Sequence, residues 1–512
     1  MNPSFRGCLR SVFRPLLCGL LGLAGLGLGA CSESVGSGVA PLNVVITSPG
    51  TTIPVTSMQM YECLVSSLGA VMYFSNGSAG NFTGRVTWSS SNSGTLEVSN
   101  GDIPIPGTTA SFYPAGTLVP QHTGTAVITA NYFGIVNQTT VTVSAPEYFV
   151  MQAIVQGSRV PLSLYNDPYK TGNSPYGNNF YMGSGTSVQL SAIANLNGVE
   201  TDVTLDGVWG FQNAADDGTA GATVNATTGL LTAGASGAST QLVPTITFPS
   251  CPQELTSPLN QYTMTVEPVS GVVLSPEFDP GTPASSGTPA SVPTSITLYP
   301  STEERINTIG TLNNGALQDV SASTTLVSST SSTLVFVGNG AGTNNVLEAL
   351  ALSGGVNQTT VSGTFAAAGA TLLPNQLQVA SPAASFSTYY ICWTSPYVAF
   401  NPSSCSQTQS LSQTPAQVTA GSLTPVQYHA VGIFGFDSSG NEIVQEVTRT
   451  STWTVGNASA TISTSAATIG QVLGVTAGKD VISVANSAAI NTGGNVSAQV
   501  TVNPTSGVGS TD

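Results

Sequence analysis

The sequence predicts an all-β protein of tandem β-sandwich domains behind a cleaved leader, and three observations support this prediction. Beyond Ala40, short runs of Val, Ile, Thr and aromatic residues alternate with clusters of Gly, Asn, Ser and Pro, the pattern of strands and turns. Helical periodicity is nearly absent after the leader. The same order of motifs recurs four times in some 460 residues, which gives about 115 residues per copy, the size of a small sandwich domain.

The composition excludes several classes of protein. The chain has 512 residues with 9 Lys and Arg, 24 Asp and Glu, and a net charge of -15. Charged residues make up 6%, against roughly a quarter in ordinary globular proteins. Nucleic-acid binders need clustered cations and coiled coils need many surface charges, so the sequence disfavours both. Because 40% of residues are hydrophobic, global disorder is also disfavoured.

The first thirty residues have the features of a secretory signal. Three arginines (Arg6, Arg10, Arg14) precede an apolar run at 16–28, and these 13 residues are fewer than the about 20 needed to span a bilayer. The end of this segment, Leu28-Gly29-Ala30-Cys31, resembles the bacterial lipobox. The resemblance implies lipid attachment to the Cys31 thiol, cleavage before it, and anchoring in the membrane. The alternative is an ordinary signal or an uncleaved anchor in which Cys31 is incidental.

Cleavage before Cys31 leaves 6 basic and 24 acidic residues, a net charge of -18, so membrane attachment has to come from acyl chains. By resemblance to lipoproteins of diderm bacteria, Ser32 after the lipidated cysteine favours the outer membrane. Four further cysteines remain in this exported chain, and an even number suggests disulfides. Cys392 and Cys405 are close in sequence and are predicted to pair. Cys63 with Cys251 follows by elimination and would join two domains.

The four copies share a recurring order of motifs. Copy one runs from Val86-Thr87-Trp88 through Leu96-Glu97-Val98 to Val141-Thr142-Val143, and Asn-Gln-Thr-Thr-Val occurs at both 137–141 and 357–361. The motifs resemble the bacterial immunoglobulin-like group 2 domain of intimin- and invasin-type surface proteins, with a Trp in a central strand and a late Gly-Thr-Ala-x-Ile-Thr strand. The third copy has Leu326 at the Trp position, and the second and fourth carry insertions.

The resemblance and the repeats together predict the following organisation of the chain: a lipoprotein signal peptide at 1–30, a tether at 31–42, Ig-like domain 1 at 43–145, domain 2 with an insertion at 146–268, a Pro-rich linker and lead strand at 269–300, domain 3 at 301–368, domain 4 with a disulfide-bounded insertion at 369–504, and a flexible tail at 505–512.

Tryptophans supply the candidate core and binding residues. Trp88, Trp209 and Trp453 recur at the same place in their copies, so they are predicted to anchor the sandwich cores, with stacking on a sugar as the alternative. Trp393 repeats in no other copy. Together with Tyr389, Tyr390 and Tyr397 it forms a candidate binding patch, the alternative being packing under the insertion loop.

No catalytic or metal-binding motif stands out. The chain lacks a Gly-x-Ser-x-Gly elbow, a His-Glu-x-x-His sequence and a phosphate-binding loop, and neither His122 nor His429 lies near another candidate ligand in sequence. Phe436–Asn441 and Ala214–Gly218 are interpreted as turns, and calcium-binding loops are the alternative. The sequence therefore predicts a non-enzymatic surface rod for adhesion or scaffolding, without cofactor, metal or nucleic acid. A glycan- or protein-binding module is the alternative, and an enzyme with an unrecognised site is the third class.

Overall fold

A computed structural model gives the fold. It describes residues 39–105, 111–155, 157–169, 176–213, 221–234, 241–248, 262–276, 295–299, 302–329, 334–337, 345–349, 357–367, 370–374, 376–381, 388–394, 415–436, 442–465, 468–486 and 496–504. The leader, Cys31, most of the proline-rich segment and the two predicted turns at 214–218 and 436–441, except Phe436, lie outside these ranges. Within them the regular elements are strands, plus two short 3-10 turns at Leu162–Leu164 and Ser321–Ser323.

Domain 1 has ten described strands, and buried side chains alternate with more exposed ones along the two longest of them. The ten strands are β1 Pro41–Thr47, β2 Ser57–Tyr61, β3 Ser66–Ser67, β4 Gly69–Phe74, β5 Ala79–Asn81, β6 Thr87–Ser90, β7 Leu96–Val98, β8 Thr117–Pro120, β9 Gly124–Tyr132 and β10 Ile135–Ser144. In β10 the side chains of Val141 and Val143 are buried while Thr140 and Thr142 are exposed. This alternation buries one face of the sheet and leaves the other in water.

Domain 2 has the next ten strands, and its core contains Trp209, Phe180 and Leu190. The strands are β11 Tyr148–Val155, β12 Ser158–Pro161, β13 Asn179–Gly183, β14 Ser187–Leu196, β15 Val199–Asp202, β16 Val208–Phe211, β17 Ala222–Val224, β18 Leu230–Ala233, β19 Pro244–Thr247 and β20 Thr263–Glu267.

Domain 3 also has ten described strands. They are β21 Val269–Pro276, β22 Ser295–Thr297, β23 Glu303–Leu312, β24 Leu317–Asp319, β25 Thr324–Ser328, β26 Leu334–Val337, β27 Val346–Ala349, β28 Asn357–Ala367, β29 Ala370–Leu372 and β30 Leu377–Ser381. Domain 4 has nine: β31 Thr388–Thr394, β32 Ala416–Thr419, β33 Val426–Phe436, β34 Glu442–Glu446, β35 Thr452–Val455, β36 Ala460–Ile462, β37 Gln471–Gly474, β38 Gly478–Ala485 and β39 Val496–Asn503.

The four domains repeat one topology, which confirms the predicted all-β tandem Ig-like sandwich. In each domain an early strand pairs parallel to the last strand, as the pairs β2/β10, β13/β20, β22/β30 and β32/β39 show. In domains 1, 3 and 4 that last strand pairs antiparallel with β9, β28 or β38, which in turn pairs with the strand bearing Trp or Leu326. The Trp-bearing strands β6 and β35 therefore end the strand order of their described sheets, and the expected central position is not observed.

The boundary between domains 3 and 4 differs from the prediction. β21 pairs with β23 and β30 pairs with β28, so domain 3 extends from Val269 to Ser381, beyond the expected end at 368. The repeated Asn-Gln-Thr-Thr-Val string explains the difference. At 137–141 it lies in the last strand of domain 1, whereas at 357–361 it lies in β28, next to the last strand of domain 3. Identical sequence fits both places because both strands need the same alternation.

Candidate functional site

The three repeated tryptophans are all core residues, and each side chain makes the same hydrogen bond. The indole Nε1–H donates to the carbonyl oxygen of the threonine five residues earlier: Trp88 to Thr83 at 2.9 Å, Trp209 to Thr204 at 2.8 Å and Trp453 to Thr448 at 3.0 Å. All three side chains are buried. Leu326 takes the same position in domain 3, five residues after Ser321, and is buried too. Packing rather than sugar binding accounts for these residues.

A short polar motif before each of these core residues ties two strands together. Its hydroxyl, on Thr83, Thr204, Ser321 or Thr448, accepts a hydrogen bond from a backbone amide of the neighbouring strand at 2.8–3.0 Å. In domains 1 to 3 the residue two positions earlier, Asn81, Asp202 or Asp319, accepts from the amide of the Thr or Ser at 2.9 Å. At Asp202, burial raises the pKa, but hydrogen bonds from Thr204 and the Arg159 guanidinium outweigh it and hold the pKa below its ordinary value.

Domain 4 has a longer version of this motif that the sequence analysis missed. Glu446 takes the place of Asp202, and its Oε1 lies 2.8 Å from Nδ1 of His429. On the other side of the ring, Nε2 lies 2.9 Å from Oγ1 of Thr394. Thr448 donates to the same Oε1 of Glu446. Both His429 and Glu446 are buried. The sequence contained a signal for this network, because His429 and Glu446 stand where domain 2 has Ser191 and Asp202.

The order hydroxyl, imidazole, carboxylate also occurs in catalytic triads. The position of the pair in the fold favours a structural role, because Ser191 and Asp202 occupy the equivalent places in domain 2, where Thr204 Oγ1 bonds to both. Burial of His429 and Glu446 also keeps the ring from a substrate. We interpret the cluster as a hydrogen-bond network that fixes β31 against β33 and β34.

Removal of the Glu446 carboxylate tests this interpretation. Glu446→Ala would leave the buried His429 ring and the Thr448 hydroxyl without their acceptor, so we expect domain 4 to lose about 2–4 kcal/mol of stability. Glu446→Gln keeps an acceptor oxygen and serves as the matched control with a smaller loss. Hydrogen exchange of domain 4 peptides in the full chain measures both. Equal protection in Glu446→Ala and the native protein would contradict the structural role.

The described members of the candidate binding patch do not share one surface. Tyr389 and Tyr390 are buried on opposite faces of β31: Tyr389 packs in the main core of domain 4, and Tyr390 packs with Cys392 and Val431. The Tyr389 hydroxyl donates to the carbonyl oxygen of Val484 at 3.2 Å. Trp393 has 39% of its surface exposed. Tyr397 lies outside the described residues, so Trp393 is the described member of the set that can meet a ligand.

Domains 2 and 3 meet through a buried amide. The Gln318 side chain, 2% exposed, accepts from the amide of Gly183 at 2.6 Å and donates to the Tyr165 hydroxyl at 2.7 Å and to Thr186 Oγ1 at 3.1 Å. Nearby, Asn166 Nδ2 donates to the carbonyl of Leu317 at 2.8 Å. Both polar atoms of the Gln318 side chain, Oε1 and Nε2, bond to groups of domain 2. These bonds favour one relative orientation of the two domains.

The insertion of domain 2 contributes to this joint. Tyr165 and Asn166 begin the Tyr/Asn/Gly stretch that the sequence suggested as a specificity element, and both are buried. Burial and the negative charge of Asp319 raise the pKa of Tyr165, while the hydrogen bond from Gln318 acts in the opposite direction. The phenol therefore stays protonated at neutral pH. This end of the insertion serves domain packing.

Domain 4 contacts domain 2 directly. Glu200 Oε2 accepts from the amide of Leu423 at 2.6 Å and from Ser422 Oγ at 3.1 Å, and the amide of Glu200 donates to the carbonyl of Gly421 at 2.8 Å. A second contact joins Gln471 Nε2 to Ser158 Oγ at 3.0 Å. These hydrogen bonds join two domains that are not neighbours along the chain.

Domain 3 closes the set of contacts. The Tyr299 ring stacks on Phe434 of domain 4 with centroids 4.2 Å apart and an interplanar angle of 14°. The amide of Tyr299 donates to Gln445 Oε1 at 3.0 Å. Each of domains 2, 3 and 4 thus touches the other two.

The Glu200 contact gives a direct prediction. We expect Glu200→Ala to speed hydrogen exchange at the Leu423 amide and to weaken the contact by about 1–2 kcal/mol, because hydrogen bonds to a charged acceptor are lost at a partly exposed site. Glu147→Ala, which removes an exposed acid beside Tyr148, is the matched control and should leave Leu423 unchanged. Unaltered Leu423 exchange in Glu200→Ala would show that the carboxylate does not hold the two domains.

Cys63 connects domain 1 to domain 2. It is buried within the apolar cluster of domain 2 that includes Leu242 and Phe248, and it has a positive φ of 70°. Cys63 and Cys392 are each engaged in a disulfide. Cys251 and Cys405 lie outside the described residues, so the two pairings stay predictions.

Among the residues that the structure describes, no group of three or more His, Cys, Asp or Glu side chains converges into a possible metal site. Nor does any helix in that part of the chain have the length and hydropathy needed to cross a bilayer.

Comparisons with known proteins add little beyond the fold. No family model and no curated protein matches the chain. Among solved structures, it is similar to domains 4–9 of the surface layer protein SbsC, with 13% identity over 90% of this chain and 66% of that one, and a TM-score of 0.21. It is also similar to the N-terminal four Ig domains of Dscam1 isoform 4.4, with 10% identity over 91% of this chain and 99% of that one, and a TM-score of 0.19. TM-scores this low carry no functional argument.

Proposed function

We propose that the protein is a non-enzymatic cell-surface lipoprotein whose tandem Ig-like domains serve adhesion or envelope scaffolding. The leader and the lipobox-like Leu28–Cys31 support attachment through lipid on Cys31, and Ser32 supports placement in the outer membrane of a diderm bacterium. Two or more acyl chains hold a protein on a bilayer where one chain binds marginally. The acidic mature chain needs such an anchor because it repels anionic membrane surfaces.

The buried Gln318 joint is the observation that carries the scaffolding proposal. A polar side chain that is buried between domains must find all its partners, and this requirement specifies one relative orientation. A scaffold has to hold its binding surfaces at fixed spacing, whereas independent binding modules on flexible linkers do not. The contacts of domain 4 with domains 2 and 3 add to the same restraint.

Fractionation of the native host tests the anchoring. We expect the wild-type protein in the membrane fraction, released by detergent, and the Cys31→Ala variant outside that fraction. Protease added to intact cells should digest the wild-type protein if the domains face the medium. Equal fractionation of the two proteins would refute lipid anchoring through Cys31.

A second candidate function is glycan or protein binding, and the exposed Trp393 favours it. An exposed indole supplies a large apolar face for stacking on a sugar ring or a partner side chain. The full chain and its Trp393→Ala variant would be compared on glycan arrays and in pull-down assays from surface extracts. Binding that Trp393→Ala abolishes supports this function, and blank results with both proteins oppose it.

We further propose that Cys63 pairs with Cys251 and Cys392 with Cys405. The first pairing is supported by Phe248, which lies in the same apolar cluster as Cys63 and three residues before Cys251. Such a bond would fasten domain 1 to domain 2. Peptide mapping without reduction should yield the two crosslinked pairs, and a Cys63–Cys405 or Cys251–Cys392 peptide would contradict the proposal.

A further inference from the structure

We propose that the end of domain 1 bearing Phe133 is a bilayer-contacting tip, which inserts aromatic side chains into the interfacial region of the membrane that holds the lipid anchor. The inference rests on the proposed anchoring at Cys31. Its observations are an exposed aromatic ring at an unfavourable backbone position, an aromatic cluster behind that ring, and the start of strand β1 beside the cluster.

Phe133 is 93% exposed at the turn between β9 and β10. Tyr132 pairs with Ile135, so the loop consists of Phe133 and Gly134, with φ of 47° and 90°. Two positive φ values define the type I′ hairpin turn, in which Asn-Gly is favoured. A side chain other than Asn, Asp or Gly costs roughly 1–2 kcal/mol in this left-handed region.

The same chain contains the favoured form of this turn. Between β14 and β15, Leu196 pairs with Val199, and the loop is Asn197-Gly198 with φ of 57° and 83°. Phe133 therefore reduces both the stability of its hairpin and the solubility of the surface compared with Asn. A bulky apolar residue at such a place indicates a function that the hairpin itself does not need.

Behind Phe133 stands a continuous row of rings. Edge-to-face contacts link Phe133 to Tyr132 at 4.8 Å, Tyr132 to Phe82 at 5.1 Å and Phe82 to Phe74 at 5.6 Å. The guanidinium of Arg85 lies over the Phe82 ring, 5.3 Å from its centroid. These contacts support the exposed ring and place the Arg85 cation over Phe82, the second ring behind Phe133.

The row of rings ends beside the first residue of β1. Phe74 pairs with Pro41 at the start of β1, and the amide of Ala40 donates to Ser75 Oγ at 3.0 Å. From Cys31 to Ala40 is nine residues, and a chain of that length spans at most about 30 Å. A lipid on Cys31 would therefore keep this end of domain 1 close to the bilayer.

The charge of the tip also fits a membrane surface. The three segments that form it, 39–46, 74–85 and 130–137, contain one arginine, Arg85, and no acid, although the mature chain carries a net charge of -18. Aromatic rings are enriched at the level of the lipid headgroups, and an arginine beside them can reach phosphate oxygens. The occupant that matches an exposed ring, a cation and a nearby lipid anchor is the bilayer interface.

Quenching by brominated lipids tests the tip. Lipidated full-length protein carrying Phe133→Trp is reconstituted into vesicles of phosphatidylethanolamine and phosphatidylglycerol with brominated acyl chains. The fluorescence of the introduced tryptophan is obtained by subtracting the emission of the native protein. We expect this fluorescence to be quenched by the brominated lipids and its maximum to be shifted to the blue. Ile53→Trp is the matched control: Ile53 is exposed in the same domain, and its carbonyl accepts from Ser48 just beyond the other end of β1, about 20 Å along the strand.

Quenching of the Phe133→Trp signal without quenching of Ile53→Trp supports the proposal, and equal quenching or none at both positions overturns it. Phe133→Asn gives a second measure: it should remove the vesicle-dependent hydrogen-exchange protection of residues 130–137 while leaving the hairpin folded. To separate this inference from the anchoring, the chain from Ser32 onward is tethered by an N-terminal His tag to vesicles with a nickel-chelating lipid. Quenching of Phe133→Trp on these vesicles would support the membrane-contacting tip even if Cys31 proves unmodified in the host.

Discussion

Trp209→Ala is expected to destabilise domain 2 by about 3–5 kcal/mol, a large part of the stability of a typical domain. The substitution removes the indole from the sandwich core and leaves the carbonyl of Thr204 without its donor. The site is also closely packed against backbone: a Cβ built on Gly229 would lie 2.7 Å from the indole Cε2. The surroundings have little room to close the resulting cavity. Hydrogen exchange of domain 2 peptides in the full chain measures the loss.

Trp393→Ala is the matched control, because it removes the same side chain from a half-exposed position. We expect Trp393→Ala to change the free energy of unfolding of domain 4 by about 0.5 kcal/mol or less. Trp209→Phe keeps most of the packing and loses the hydrogen bond, so its cost should lie between the two. Similar exchange in Trp209→Ala and Trp393→Ala would contradict the assignment of the repeated tryptophans as core anchors.

Gln318→Ala should separate domains 2 and 3 while both stay folded. Truncation leaves the Gly183 amide, the Tyr165 hydroxyl and Thr186 Oγ1 without this partner in a buried interface. Each buried group left unsatisfied costs about 1–3 kcal/mol, so the joint should open. We expect faster exchange at 180–186 and a broader distribution of interdomain distances in solution scattering.

Gln378→Ala is the control for that experiment. Gln378 is an exposed glutamine of the same domain whose side chain exchanges hydrogen bonds with Thr360. Its loss should leave the joint closed. An unchanged scattering profile for Gln318→Ala would show that the domains are oriented by other contacts, and the scaffolding proposal would lose its main support.

Local patterns in the sequence predicted the sandwich class correctly, and the three tryptophans that they marked as core anchors are buried. Alternation in Val141–Val143 and the spacing of Trp88, Trp209 and Trp453 are set by each strand's own two faces, so a single sequence reveals them. The end of domain 3 was missed because β28 and β30 have the same alternation, and only strand pairing shows that β30 is the last strand of the domain. The string at 357–361 could not supply that information.

Contacts between domains were beyond the sequence for a different reason. Gln318, Glu200 and Tyr299 are ordinary polar or aromatic residues in strands and turns, and their partners are more than a hundred residues away. Nothing in local spacing marks such pairs. The predicted patch around Trp393 failed in part for the same reason, since Tyr389 and Tyr390 alternate along β31 and are buried on both sides. By contrast, Phe133-Gly134 in a hairpin was a local signal that could have been read.

Intact-mass spectrometry of the protein purified from its native membrane tests lipid anchoring at Cys31. We expect a chain that begins at Cys31 and whose mass exceeds that of residues 31–512 by a lipid thioether with its acyl groups. A chain that still contains residues 1–30, or one that begins at Cys31 without added lipid, would contradict a lipid-anchored surface scaffold.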